Sequence, residues 1–213
     1  MQTHSIQVKR TARYATLGQV SETTTDVWFV VHGYGQLAPF FIKKFNAILD
    51  ENTFIVAPEA LSRFYVESFN GRVGATWMTR EEKHAEIKDY INYLNLVYDQ
   101  TLKGIDTQKV RIHVLGFSQG TTTVCRWLMN GHAKFDRLIL WAGYFGNGIE
   151  DVLSAELVAD KDVRFIYGNE DEFLSKLDVV AYEQNLCKGI PNIQISSFEG
   201  GHNIPIEELK AIK

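Results

Sequence analysis

Val114-Leu115-Gly116-Phe117-Ser118-Gln119-Gly120 is a G-x-S-x-G stretch set between two kinds of hydrophobic pattern. Residues 110–115 read as a buried strand. Residues 119–130 read as a helix. A serine at such a junction is forced into a strained backbone conformation, with chain packed close on both sides. Glycine at 116 and 120 removes side chains that would collide there. The turn leaves Ser118 Oγ at the C-terminal edge of the sheet, and the following helix aims its N-terminal amides and positive dipole end at the same spot. A glycine-flanked serine alone is often a plain turn. The strand before it and the helix after it favour a nucleophile.

The strand–helix rhythm extends in both directions from this point. Val27-Trp28-Phe29-Val30-Val31 is a buried run that stops at His32-Gly33-Tyr34-Gly35. Residues 38–50 carry Phe40, Phe41, Phe45, Ile48 and Leu49 at helical spacing. Thr53-Phe54-Ile55-Val56-Ala57 is a second buried strand, closed by Pro58. Residues 80–102 predict a long amphipathic helix, with Ile87, Ile91, Leu94, Val97 and Tyr98 as its stripe and Glu81 and Glu82 in its first turn, where acids are favourable. Strands at 138–141, 163–167 and 192–198 alternate with helices near 173–187 and 205–212. This order predicts an α/β fold, a mostly parallel central sheet with helices on both faces, as a single domain over 1–213 without a separate cap domain. Two segments break the rhythm. Residues 5–20 alternate around Ile6, Val8 and Tyr14, which predicts an exposed antiparallel edge hairpin. Residues 59–79 have no clear period.

Composition narrows the classes of function. A chain of 213 residues is long enough to bury roughly 70% of its unfolded surface. Its 22 basic and 26 acidic residues leave a net charge of -4, which argues against nucleic acid or an anionic membrane surface as the main partner. Cys125 and Cys187 form neither a disulfide framework nor a C-x-x-C pair, and each is expected as a small core residue. The first ten residues lack an apolar secretory core, and no run approaches the ~18 apolar residues of a membrane span. A cytoplasmic location is therefore expected. No H-E-x-x-H and no G-x-x-x-x-G-K-[ST] occurs, so no metal or organic cofactor is expected. Gly143-Tyr144-Phe145-Gly146 looks like a glycine-rich turn, but no G-x-G-x-x-G opens a helix, and a nucleotide site is set aside.

A serine hydroxyl needs a base to act as a nucleophile. Of the six histidines, His113 lies mid-strand, and solvent contact suffices for His4, His84 and His132. His202 follows Gly200-Gly201, after the last strand and before the last helix, at the sheet edge that carries Ser118. The orienting acid should lie between them in sequence, behind a strand. Gly168-Asn169-Glu170-Asp171-Glu172 supplies it. Asp171 is preferred, Glu170 is the rival, and Glu172 reads as a helix N-terminal charge. For the oxyanion, one donor should be the Gln119 N–H. The second should come from the loop after an earlier strand, with Tyr34 N–H best placed. His32 then shapes that loop rather than acting as a second base. In residues 59–79, Arg63, Phe64, Tyr65, Phe69, Arg72 and Trp77 mix aromatic and basic side chains. Trp77, next to small Ala75 and Thr76, is the preferred rigid wall of an acyl pocket.

With these segments placed, the chain resembles the phospholipase/carboxylesterase family of α/β-hydrolases, the group that includes acyl-protein thioesterases. Val31-His32-Gly33-Tyr34-Gly35 is similar to the family's oxyanion loop, and Gly116-Phe117-Ser118-Gln119-Gly120 to its elbow, including the glutamine. Gly168-Asn169-Glu170-Asp171 and Gly201-His202 match its acid and base segments. The resemblance implies the α/β-hydrolase fold and a serine esterase or thioesterase acting on a small ester or thioester through an acyl-enzyme. The family usually follows the mid-chain tryptophan with an aromatic and an aspartate, whereas Trp77 precedes Met78-Thr79. The usual Val-Pro after the acid is also missing, so the acyl substrate stays open. The alternative is a binding protein that kept this fold without catalysis. The Ser–Asp–His order speaks against it.

Overall fold

The protein is described over residues 1–213 by a computed structural model. Nine strands and six helices follow one another: β1 Tyr14–Leu17, β2 Asp26–Val31, α1 Ala38–Phe41, β3 Thr53–Pro58, β4 Ser62–Tyr65, β5 Val73–Thr76, α2 Lys83–Leu102, β6 Arg111–Phe117, α3 Gln119–Asn130, β7 Arg137–Trp141, α4 Ala155–Val158, β8 Asp162–Gly168, α5 Val179–Gly189, β9 Ile193–Phe198 and α6 Ile206–Ala211. Seven strands form the central sheet in the order β1-β3-β2-β6-β7-β8-β9. Only β1 runs antiparallel to its neighbour; every other pair is parallel, with Val30 opposite Leu115 and Phe117 opposite Trp141 at the C-terminal edge. This is the expected mostly parallel sheet.

Successive side chains of a strand point to opposite faces, and β2 divides accordingly. Val27, Phe29 and Val31 pack with Leu94 and Val97 of α2, Val124 and Trp127 of α3 and Leu186 of α5. Trp28 and Val30 pack on the other face with Phe41, Phe45 and Ile48, and with Leu209 of α6. Both faces are covered, which is why these strands read as unbroken apolar runs. No helix is long and apolar enough to cross a membrane.

Several expectations need correction. The hairpin over residues 5–20 reduces to β1, which pairs with β3; residues 1–13 form no strand, and Ile6 and Val8 stay exposed. The helix over 38–50 is one α-turn followed by a 3-10 segment, Ile42–Ile48, with Pro in the first turn. Residues 59–79 contain the β4–β5 hairpin, a separate two-stranded sheet. Glu81 and Glu82 precede α2 instead of starting it, and Glu82 takes a left-handed φ of 47°. α5 begins at Val179, capped by the Asp178 carboxylate on Ala181 N–H, so Glu172 is no helix N-terminal charge. Cys125 is buried as expected, whereas Cys187 is exposed on α5.

Candidate active site

β6 ends at Phe117 and α3 begins at Gln119, so a single residue, Ser118, makes the turn. It adopts φ 55° and ψ -119°, a region that costs a non-glycine residue roughly 1–3 kcal/mol. The surroundings hold it there. Ser118 N–H donates to Trp141 O at 2.9 Å, and Ser118 O accepts from Thr121 N–H at 3.0 Å. The two flanking glycines are required by close approach. A Cβ on Gly116 would strike Gly120 O, and one on Gly120 would strike Val31 O and His32 O. Gly120→Ala is therefore expected to push the elbow off the β2 edge, lowering stability by about 1–3 kcal/mol. Denaturant melts of the variant measure it.

The loop after β2 approaches the same point. A Cβ on Gly33 would lie 3.0 Å from Ser118 Cβ. Tyr34 N–H makes no hydrogen bond within the protein, and its ring is exposed, packed 5.0 Å from Phe64. Gln119 N–H is the first amide of α3, where a helix leaves its donors without intrahelical acceptors. Two free amides thus flank Ser118. The Gln119 side chain does separate work: Oε1 accepts from Trp77 N–H at 3.1 Å, and Nε2 donates to Met78 O at 3.1 Å, tying the end of the β4–β5 hairpin to the elbow. Sequence reasoning missed this clamp.

His32 is fully buried. Its Nε2 accepts from Ala60 N–H at 3.1 Å, so the proton sits on Nδ1, which donates to Gly33 O at 2.7 Å. Burial pushes its pKa down to about 4. It is a neutral spacer of the loop. Folding resists protonation of His32 while the unfolded chain does not, so stability is complete above the unfolded pKa of about 6.5 and falls as pH drops from there toward 4. One pKa unit corresponds to about 1.4 kcal/mol, so the loss amounts to about 3 kcal/mol. The pH dependence of unfolding, wild type minus His32→Asn, is expected to show that difference between pH 7 and pH 4.

The loops after β8 and β9 form the other half of the site. Gly168 packs so closely on Gly200 O and Gly201 O that no Cβ fits. Asn169 N–H donates to Phe198 O and Glu170 N–H to Gly200 O, both at 2.9 Å. This lacing brings Asp171 Oδ2 to 2.6 Å from His202 Nδ1. Asp171 is fully buried, and its Oδ1 accepts from Phe173 N–H at 2.9 Å and Leu174 N–H at 3.3 Å. Glu170 and Glu172 are exposed. The His202 ring lies between Phe117 at 4.9 Å and Phe173 at 4.8 Å, which sets it beside the elbow. No hydrogen bond joins Ser118 Oγ to His202 Nε2; in hydrolases of this kind such a contact commonly tightens only with substrate. The remaining histidines are occupied elsewhere or exposed. His113 Nε2 meets Asp26 at 2.7 Å and its ring stacks on Trp28, His132 meets Asp99 at 2.8 Å, and His4 and His84 face solvent.

Trp77 lies in the core and borders a cavity between residues 5–14 and α2 whose lining does not include Ser118. It is 2% exposed. Its Nε1 donates to His32 O at 2.9 Å, and its ring packs 5.2 Å from His32 and edge-on to Tyr90. Trp77→Ala is expected to cost about 3–5 kcal/mol in stability and to reduce turnover of short and long acyl esters alike. A chain-length series run beside a thermal melt tests this. Two cavities open to solvent have linings that do not include Ser118. One, of about 790 Å3, lies between the loop after β7 and α5. The other, of about 940 Å3, lies between residues 5–14 and α2. The arrangement of side chains, not cavity size, locates the candidate site.

The fold has known relatives. Maize acyl-protein thioesterase 2 superposes with a TM-score of 0.70 at 15% identity, over 95% of this chain and 96% of that one. Esterase PE8 gives 0.65 at 18%, over 94% and 95%. The Bacillus cereus carboxylesterase gives 0.63 at 14%, over 94% and 91%. At such identities the likeness establishes the α/β-hydrolase architecture. No curated protein matches the sequence significantly. The family model described as Phospholipase/Carboxylesterase matches residues 15–213. That span takes in the elbow, both flanking loops and the Asp171–His202 pair, and the chain belongs to the phospholipase/carboxylesterase family.

Proposed function

We propose that the chain is a serine hydrolase of carboxylic esters or thioesters, working through an acyl-enzyme. The observation that carries this reading is the 2.6 Å contact of buried Asp171 with His202 beside a serine held at φ 55°. Ser118 Oγ attacks the acyl carbonyl while His202 Nε2 takes its proton. Asp171 fixes the imidazole with its proton on Nδ1 and stabilises the imidazolium; it does not itself take the proton. The carbonyl oxygen becomes an oxyanion received by the Tyr34 and Gln119 amides. Each such donor is worth about 3–4 kcal/mol in the transition state. His202 then protonates the leaving alcohol or thiol, and water repeats the sequence on the acyl-enzyme to release the acid. The thioesterase and carboxylesterase that share the fold support both leaving groups as candidates.

A fluorophosphonate probe followed by peptide mapping tests the reading. Ser118 is expected to carry the label, and p-nitrophenyl and acyl-thioester substrates of graded chain length are expected to be turned over. A chain that takes no label and hydrolyses none of them is a binding protein on a hydrolase fold.

A further inference from the structure

Directly behind the proline that closes β3 sits Glu59, a carboxylate only 1% exposed. Its Oε1 accepts from Arg13 Nε at 2.7 Å and from Arg63 Nε at 2.7 Å. Its Oε2 accepts from Arg13 Nη2 at 2.9 Å and from the Ala38 backbone N–H at 3.2 Å. Burial alone would raise the Glu59 carboxyl, but the hydrogen bonds from Arg13 and Arg63 hold it below the usual carboxylate range. The group is an anion at neutral pH. The backbone next to it is engaged as well: Glu59 N–H donates to Arg13 O and Ala60 N–H donates to His32 Nε2.

These bonds grip both ends of one loop. His32 opens it and is held by Ala60. Ala38 closes it and is held by the Glu59 carboxylate. Between them lies Tyr34, whose N–H is free. A buried ion pair is weak evidence for stability, since apolar packing of equal volume often does as well. It does supply direction, because charge-assisted bonds are short and fix the atoms they join. Arg13 and Arg63 are each more than 40% exposed, so water could satisfy them without Glu59. The acceptor is what the interior has imported, and it meets the first amide of α1.

We infer that Glu59 is a positioning residue for the loop that presents the Tyr34 amide to the oxyanion. The inference rests on the proposed serine-hydrolase reading. Arg13, outside the site and reaching it only through Glu59, is part of the same device. A displaced oxyanion donor impairs the transition state and leaves ground-state binding alone.

The test compares wild type, Glu59→Gln, Arg13→Met and the double variant. It uses p-nitrophenyl butyrate turnover and inhibition by an aryl trifluoromethyl ketone. Ser118 Oγ adds to that ketone, its proton passes to His202, and the carbonyl becomes the oxyanion of a hemiketal. Glu59→Gln is expected to lower kcat about 10- to 100-fold with KM within about twofold, and to weaken the ketone by the same factor. Arg13→Met should do the same to a smaller degree, and the double variant should be no worse than Glu59→Gln. A lower melting temperature with kcat and ketone affinity unchanged overturns the inference, as does a raised KM with kcat intact. Should Glu59→Gln fail to fold, Arg13→Met and Arg63→Met carry the test, because each leaves the carboxylate one arginine. Unchanged kcat in both overturns the inference. Wild type that neither labels with fluorophosphonate nor turns over ester overturns the hydrolase reading itself, a result separate from these.

Discussion

Ser118→Ala is expected to lose ester hydrolysis almost completely, by about 10^5- to 10^6-fold in kcat, while its melting temperature stays within about 2 °C of wild type. Alanine keeps the Cβ that packs against Gly33 and keeps the strained φ of 55°. It removes only the oxygen. The two free amides at Tyr34 and Gln119 and the Asp171–His202 pair are untouched, so any residual rate reports what positioned donors do without a nucleophile. Ester assays and melts on the same preparation give the answer. Turnover within tenfold of wild type would refute Ser118 as nucleophile.

Asp171→Asn is the second large effect, a loss of about 10^4-fold in kcat. The amide can keep its oxygen on Phe173 N–H and Leu174 N–H, the two bonds that Oδ1 accepts now. Its NH2 then faces His202 Nδ1 and forces the imidazole proton onto Nε2, where a free lone pair is needed to take the serine proton. Glu170→Gln is expected within about threefold of wild type, because that side chain is exposed and only its backbone N–H is used, on Gly200 O. The reverse ranking would transfer the orienting role to Glu170.

The buried strands were legible because parallel strands covered on both faces must be apolar throughout. β6, β7 and β8 lie within about two residues of where their largely apolar runs place them, and β9, an edge strand with Gln194, Ser196 and Ser197 exposed, within about two of its place in the strand–helix rhythm. The elbow was legible because backbone crowding leaves glycine no substitute at 116 and 120. Edge and surface elements were not. Residues 5–13 carry a strand's alternation but have no neighbouring strand to bond. The β4–β5 hairpin gains its order from pairing across the turn and from Gln119, which no local pattern records. α5 starts late because residues 172–177 form turns and a bend, and the helix is capped only at Asp178, whose carboxylate accepts from Ala181 N–H. Trp77 lies where its surroundings make it core, although its sequence neighbours suggest a loop. Glu59 had a faint signal: an acid behind a strand-closing proline with Arg63 four residues on. The arginine from β1's approach, at position 13, is joined to it only by the fold.

The backbone at Ser118 bears on what this protein would become if robustness were all that mattered. Glycine adopts that conformation freely. Replacing the serine by glycine would release roughly 1–3 kcal/mol of strain, of which a freer unfolded chain would take back about 0.4–1 kcal/mol. The result is a sturdier molecule with no hydroxyl. A lineage pruned for durability alone would drift toward glycine at position 118, where this chain keeps serine. The cost is borne locally, in a residue whose strain no bulkier side chain would relieve. Under the proposed mechanism, selection for heat resistance and selection for turnover pull Ser118 in opposite directions.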